Sequence, residues 1–98
     1  MRLVVHPVAA LELDAALQWS KATFGDRTAA RLQRRFEQAG QMLLREPVLD
    51  SQQAGQIRKR VMRKFPYTLA YRVEGDLVRV VTLAHQSRKP GYWEERLK

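Results

Sequence analysis

The chain changes its hydrophobic period once, near Pro47, and this constrains the fold more than any other feature. Before that point the apolar residues recur at spacings of three and four. Val8, Leu11, Ala15, Trp19 and Ala22 form one series, broadened by Leu13, Ala16 and Leu17. Phe24-Gly25 breaks the pattern, and Asp26 is placed to cap a second helix. Ala29, Leu32, Phe36, Ala39 and Leu43 line that helix, with Arg27, Arg31, Arg34 and Arg35 around the remainder. Pro47 ends it, because the residue before a proline avoids helical dihedrals. The spacing predicts two amphipathic helices joined by a short turn, an antiparallel helical hairpin.

After Pro47 the period falls to two. Residues 51–55 read as a polar loop and Gln56–Phe65 as a strand of poor alternation, closed by Pro66. Tyr67, Leu69, Tyr71 and Val73 alternate with Thr68, Ala70 and Arg72, a strand with one buried face. Glu74-Gly75-Asp76 turns the chain into Leu77–Ala84. This segment is apolar on both faces apart from Arg79 and Thr82, as a central strand would be. Ahead of the hairpin, Arg2 to His6 reads as a short strand, and Pro7 suits the first turn of a helix. The expected order is β-α-α-β-β-β: an α+β domain with an antiparallel sheet and the helical hairpin on one face. A tail from Pro90 has the length for a helical turn. Trp19, Tyr67 and Tyr71 are expected in the core.

A chain of 98 residues, 45% hydrophobic, supports one core, so residues 1–98 are expected to form a single domain. Cysteine is absent, which excludes disulfides and thiolate metal sites. The apolar Leu3-Val4-Val5 is too short for a signal peptide and no run spans a bilayer, so the expectation is a cytoplasmic protein with no membrane partner. Eighteen basic against ten acidic residues give +8. The excess lies mainly in the second half, and Arg58-Lys59-Arg60-Val61-Met62-Arg63-Lys64 has five cations in seven positions. Such a field concentrates polyanions at the surface, which suits nucleic acid, a ribosome or an acidic protein.

There is no phosphate-binding glycine loop, no G-x-S-x-G and no metal-ligand cluster, and no cofactor is expected. The chemistry-bearing segment is Ala84-His85-Gln86-Ser87-Arg88-Lys89-Pro90-Gly91-Tyr92-Trp93, at the carboxyl end of the central strand. It gathers an imidazole, a guanidinium, an ammonium, a phenol and an indole. Such a set suits metal-independent RNA cleavage by the RNA's own 2′-hydroxyl. His85 would serve as acid or base, Arg88 as the phosphate clamp, and Tyr92 or Trp93 as a stacking surface for a base. Each has a structural alternative: His85 as a hydrogen-bonding strand end, Tyr92 and Trp93 as closure of the core.

Arg58…Arg63-Lys64-Phe65-Pro66-Tyr67…Tyr71-Arg72-Val73, followed by His85-x-x-Arg88-x-Pro90-x-Tyr92-Trp93, resembles the RelE/ParE family of bacterial toxins over nearly the whole chain. The resemblance implies the toxin of a type II toxin–antitoxin module, with two mechanisms within the family. RelE-like members are ribosome-dependent mRNA endoribonucleases. For them, the carry-over sets His85, Arg88 and Tyr92 at the scissile phosphate and Arg58, Arg60, Arg63, Lys64, Lys89 and Trp93 along the target. ParE-like members poison DNA gyrase. Ser87 stands where this motif often has a second basic residue, and the sequence leans to the ParE-like branch, whose members are often called plasmid-stabilisation proteins. The resemblance also implies a cognate acidic antitoxin in a hetero-oligomer, received on Arg27, Arg31, Arg34 and Arg35. A non-toxic basic module that binds nucleic acid or ribosomes is the competing reading.

Overall fold

The structure, a computed structural model, describes residues 1–50, 52, 56–62 and 65–85. The tail from Pro90 and most of the polar loop at 51–55 lie outside these residues. Strand β1 (Arg2–Val5) leads into helix α1 (Pro7–Phe24) and helix α2 (Asp26–Arg45), followed by β2 (Arg58–Val61), β3 (Tyr67–Glu74) and β4 (Leu77–His85). The expected order is therefore the observed one. The basic strand is shorter than the expected Gln56–Phe65.

Local chemistry sets the helix ends. The His6 imidazole accepts from the Val8 amide at 3.1 Å and caps α1, with Pro7 in the first turn, where its missing N–H costs nothing. Gly25 ends α1 and begins α2 with φ 97° and ψ 175°. Only glycine occupies that region without strain. Asp26 is thus the first residue of α2 and Gly25 its cap, so the reversal rests on backbone geometry rather than on a capping carboxylate.

The sheet order is β1-β4-β3-β2. The β4 strand is central, as its two apolar faces require. Both β2–β3 and β3–β4 are antiparallel, but β1 pairs with β4 in parallel, Leu3 opposite Val78 and Val5 opposite Val80. The sheet is therefore mixed where an antiparallel one was expected. Two antiparallel reversals, β2–β3 and β3–β4, make β4 parallel to β2. The helical hairpin with the connection after it returns the chain so that β2 starts in the direction of β1, and β1 and β4 therefore run the same way. Between Ala70 and Tyr71 the β3–β4 register shifts, with Ala70 opposite Thr82 and Tyr71 opposite Val80. This bulge puts Val78, Val80 and Leu83 into the same core cluster while Val81 joins a smaller one with Ile57 and Ala70.

The main core joins Leu69, Tyr71, Val78 and Val80 of the sheet to Ala9, Ala16, Leu32 and Leu43 of the hairpin. Each large side chain here contributes roughly 1.5–3 kcal/mol by burial. Helix α2 approaches β1 at Gly40, where a Cβ would lie 2.9 Å from Leu3 Cδ2. The apolar face expected for α2 is the buried one, with Leu32 and Leu43 fully covered.

Helix α1 turns the other way from expectation. Its buried residues are Ala9, Ala16 and Ser20, with Leu13 and Leu17 packed beside them. Leu11 is 66% exposed, Trp19 56% and Val8 39%. Trp19 is therefore not a core residue, whereas Tyr71 is fully buried and Tyr67 half-buried. The helix is apolar nearly all round, so periodicity alone fits two opposite faces. Small Ala9 and Ala16 take the inner face, which lets α1 pack near the sheet.

Candidate functional site

His85 ends β4, at the rim of the sheet nearest α1. It is exposed, and its ring meets Tyr67 edge-on with centroids 5.4 Å apart. These two residues lie directly opposite in the β3–β4 ladder. Together with Leu83 and Glu12, Ala15, Ala16 and Trp19 of α1, they line an open groove of about 240 Å³. Glu12 fixes this edge of the helix to the strand. Its Oε1 accepts from Thr82 Oγ1 at 2.7 Å and from the Leu83 amide at 3.3 Å. The groove thus presents an imidazole, a phenol and an indole at one rim. Burial pushes the Tyr67 hydroxyl above its ordinary value, further from ionisation. Arg88 and Tyr92, the two residues expected beside His85, lie outside the described residues. So do Arg63, Lys64, Lys89 and Trp93.

Arg58 and Arg60 lie on β2, opposite Tyr71 and Leu69, both core residues. Their side chains fold over the segment that follows α2. Arg58 Nη1 donates to the backbone oxygens of Val48 and Asp50, and Nη2 to Gln52 Oε1. Arg60 meets the Asp50 carboxylate through Nε at 2.8 Å and Nη2 at 2.7 Å, and donates to the Glu46 carbonyl. Tyr71 OH donates to the same Asp50 oxygen at 2.6 Å. Burial, with the hydrogen bond to Asp50 next, pushes Tyr71 up to about 12. Asp50 is thus the hub of a clasp that holds the α2–β2 connection to the sheet edge. Sequence reasoning missed it, because Asp50 and Tyr71 are 21 residues apart and no local pattern joins them.

Of the four arginines expected to meet an acidic partner, Arg27, Arg31 and Arg34 are exposed on the outer face of α2. Arg35 is half-buried and turns toward β2, where it lines a second groove with Met42, Arg60 and Val61. On the β3–β4 hairpin, Glu74 bridges Arg72 at 2.6 Å and Arg79 at 3.0 Å. The Arg72 hydrogen bond, aided by the one from Arg79, holds the Glu74 carboxyl below its ordinary value. This removes two more cations from the freely presented set. Among the described residues no cluster of ligating side chains could hold a metal ion, and no helix is long and apolar enough to cross a membrane.

The arrangement therefore divides into an aromatic groove around His85, a braced basic edge at β2 and an open arginine face on α2. No curated protein matches the sequence. Among solved structures, a chain of the chromosomal ParDE toxin–antitoxin system from P. aeruginosa superposes with a TM-score of 0.75 at 19% identity. The match covers 87% of this chain and 95% of that one. It shows that the two share a fold. Residues 3–90 match the model of the ParE toxin of the type II toxin–antitoxin system parDE, a span that takes in α1 to β4 whole and all of β1 but Arg2. The chain belongs to the ParE toxin family of type II toxin–antitoxin systems.

Proposed function

We propose that this toxin arrests growth by poisoning DNA gyrase in the cytoplasm and is neutralised by a cognate acidic antitoxin that docks on Arg27, Arg31 and Arg34. The observation that carries the reading is the ParE family match over residues 3–90. The disposition of the cations supports it. Arg58 and Arg60, which an RNA path would require, are turned onto Asp50, Gln52 and the segment after α2. The remaining Arg60 nitrogen, Nη1, has no partner but is buried, so this guanidinium is not presented to a phosphate in solvent. The α2 arginines instead stand outward, on a chain of net charge +8. An acidic segment laid across them would relieve repulsion among like charges.

The test is brief induction of the chain without antitoxin, with two readouts from one culture. Gyrase poisoning gives growth arrest, an induced DNA-damage response, intact mRNA and, with purified gyrase, loss of supercoiling or trapped cleavage complexes. New mRNA 5′ ends phased with codons, lost in His85→Ala or Arg88→Ala, would replace gyrase with the ribosome as target. Harmless induction would leave a non-toxic binding module. The antitoxin half is tested by mixing the purified chain with the product of the adjoining gene. A complex of nanomolar or tighter affinity is expected.

A further inference from the structure

Helix α1 has an outer face that a lone protomer leaves in water. Leu11, Ala15, Gln18 and Ala22 recur at spacings of four, three and four, so they form one line along the helix. All four are exposed, Leu11 to 66%. Val8 and Trp19 flank the line on one side, and Trp19 meets the 62%-exposed Phe24 edge-on at 5.5 Å. Asp14 and Lys21, both exposed, flank it on the other. Scattered apolar residues on a surface need no explanation, but an exposed leucine and a touching tryptophan–phenylalanine pair on one helix, with alanines between them, form a patch of the kind that interfaces use. The inner face of α1 is already occupied by the sheet, so this is a second, independent apolar face.

Charge says what covers it. The chain carries +8, yet of the three charges on α1 Glu12 is turned onto the sheet, leaving Asp14 and Lys21 to balance on the outer side. By contrast α2 has five arginines against two acids, a net of +3. An acidic partner therefore gains no charge attraction on α1, while α1 is where two copies of a basic chain meet least repulsion. The face is also complementary to itself. Packed antiparallel about a twofold axis between Ala15 and Gln18, Leu11 sits over the partner's Ala22, large against small. In antiparallel helix pairs each flank meets the same flank of the other helix, so Asp14 comes opposite the partner's Lys21, twice. Lys21 now makes only an exposed pair with Asp26 at 3.6 Å, which such a contact would easily replace.

The geometry points to a homodimer of the antitoxin-free toxin, formed by isologous antiparallel packing of α1 on α1. This leaves the α2 arginines outside the interface, and it places the partner's α1 beside the groove that holds His85, since Ala15 and Trp19 line both.

Sedimentation of the chain purified alone, across a micromolar concentration series, tests this. A reversible monomer–dimer equilibrium is expected, tightening as NaCl rises because salt screens the repulsion between two +8 protomers. Trp19→Ala weakens the dimer by roughly 30-fold, the scale of a buried aromatic anchor. The exposed site leaves folding intact, which circular dichroism checks. Asp14→Lys weakens it and Lys21→Asp weakens it, while the double exchange restores it. A monomer at every concentration overturns the proposal, as does a dimer indifferent to the charge exchange. Loss of antitoxin binding in Trp19→Ala, with no self-association in the parent, would give the face to the antitoxin and also overturn it. Neither gyrase nor antitoxin enters the primary measurement, so its failure is separate from failure of the proposed function.

Discussion

Asp50 carries more of the structure than any other single charged residue described. One of its carboxylate oxygens accepts from Arg60 twice and from Tyr71, while its backbone oxygen accepts from Arg58. The Arg60 side chain is 12% exposed, so removing its carboxylate leaves a largely desolvated cation without a counter-ion. Asp50→Ala is expected to lower stability by about 2–4 kcal/mol, read from the urea midpoint, with the family activity lost through unfolding rather than chemistry. Tyr71→Phe keeps the ring and loses one hydrogen bond, at about 1 kcal/mol. The pair also sets an alkaline limit. Tyr71 is pushed to about 12 in the folded chain against about 10 unfolded, so it favours folding fully below pH 10. That contribution fades between pH 10 and 12, as the unfolded chain sheds a proton the native state retains. The difference in stability between the parent and Tyr71→Phe should therefore shrink over this window, and a constant difference would disprove the assignment. None of this was visible in the sequence. Arg58 and Arg60 read as part of a cationic run, and only the folded path of the α2–β2 connection shows them engaged with their own chain.

Among the elements, the helical hairpin shows both how far a sequence pattern reaches and where it stops. Pro7, Gly25 and Pro47 punctuate the chain where the helices begin, reverse and end, because each acts through local backbone geometry. The α2 face was legible as well, since Leu32, Phe36 and Leu43 oppose a stripe of arginines and only one orientation hides the apolar side. For α1 the contrast is missing. Alanines surround it, and the larger Leu11 and Trp19 define a stripe that faces water, while Ala9, Ala16 and Ser20 go inside. What selects the inner face is tertiary: the closeness of the sheet, and Glu12 anchoring on Thr82 and Leu83. The parallel β1–β4 pair was likewise hidden, because its direction depends on the whole path from α1 through the α2–β2 connection to β4 and not on the strand. Gly25 supports a direct test of the reversal. With φ 97° and ψ 175°, Gly25→Ala forces a side chain into a region that L-residues avoid. A loss of about 1–3 kcal/mol is expected in thermal or urea unfolding, with open space around the site ruling out a steric cause. An unchanged midpoint would mean the turn has a second conformation.

At the scale of the whole molecule, charge is sorted by element. The outer side of the hairpin is split between a charge-balanced, apolar α1 and a strongly basic α2, while the arginines of β2 are braced by Asp50. On the proposed reading, a diffusing acidic partner is expected to meet Arg27, Arg31 and Arg34 first. Reversing all three to glutamate takes the chain from +8 to +2 without touching a buried residue, so the fold should survive, as circular dichroism would verify. Exposed charges act mainly on the rate of encounter. The triple variant is expected to slow antitoxin association by roughly tenfold or more at low salt, with a much smaller change in dissociation. Near 0.5 M NaCl the gap between parent and variant should narrow sharply, because the screening length falls to about 4 Å. A variant that instead dissociates faster, with a salt-independent defect, would make these arginines desolvated anchors in the complex. One with unchanged association would move the antitoxin to a different surface, and the +8 field would then serve the toxin's target alone.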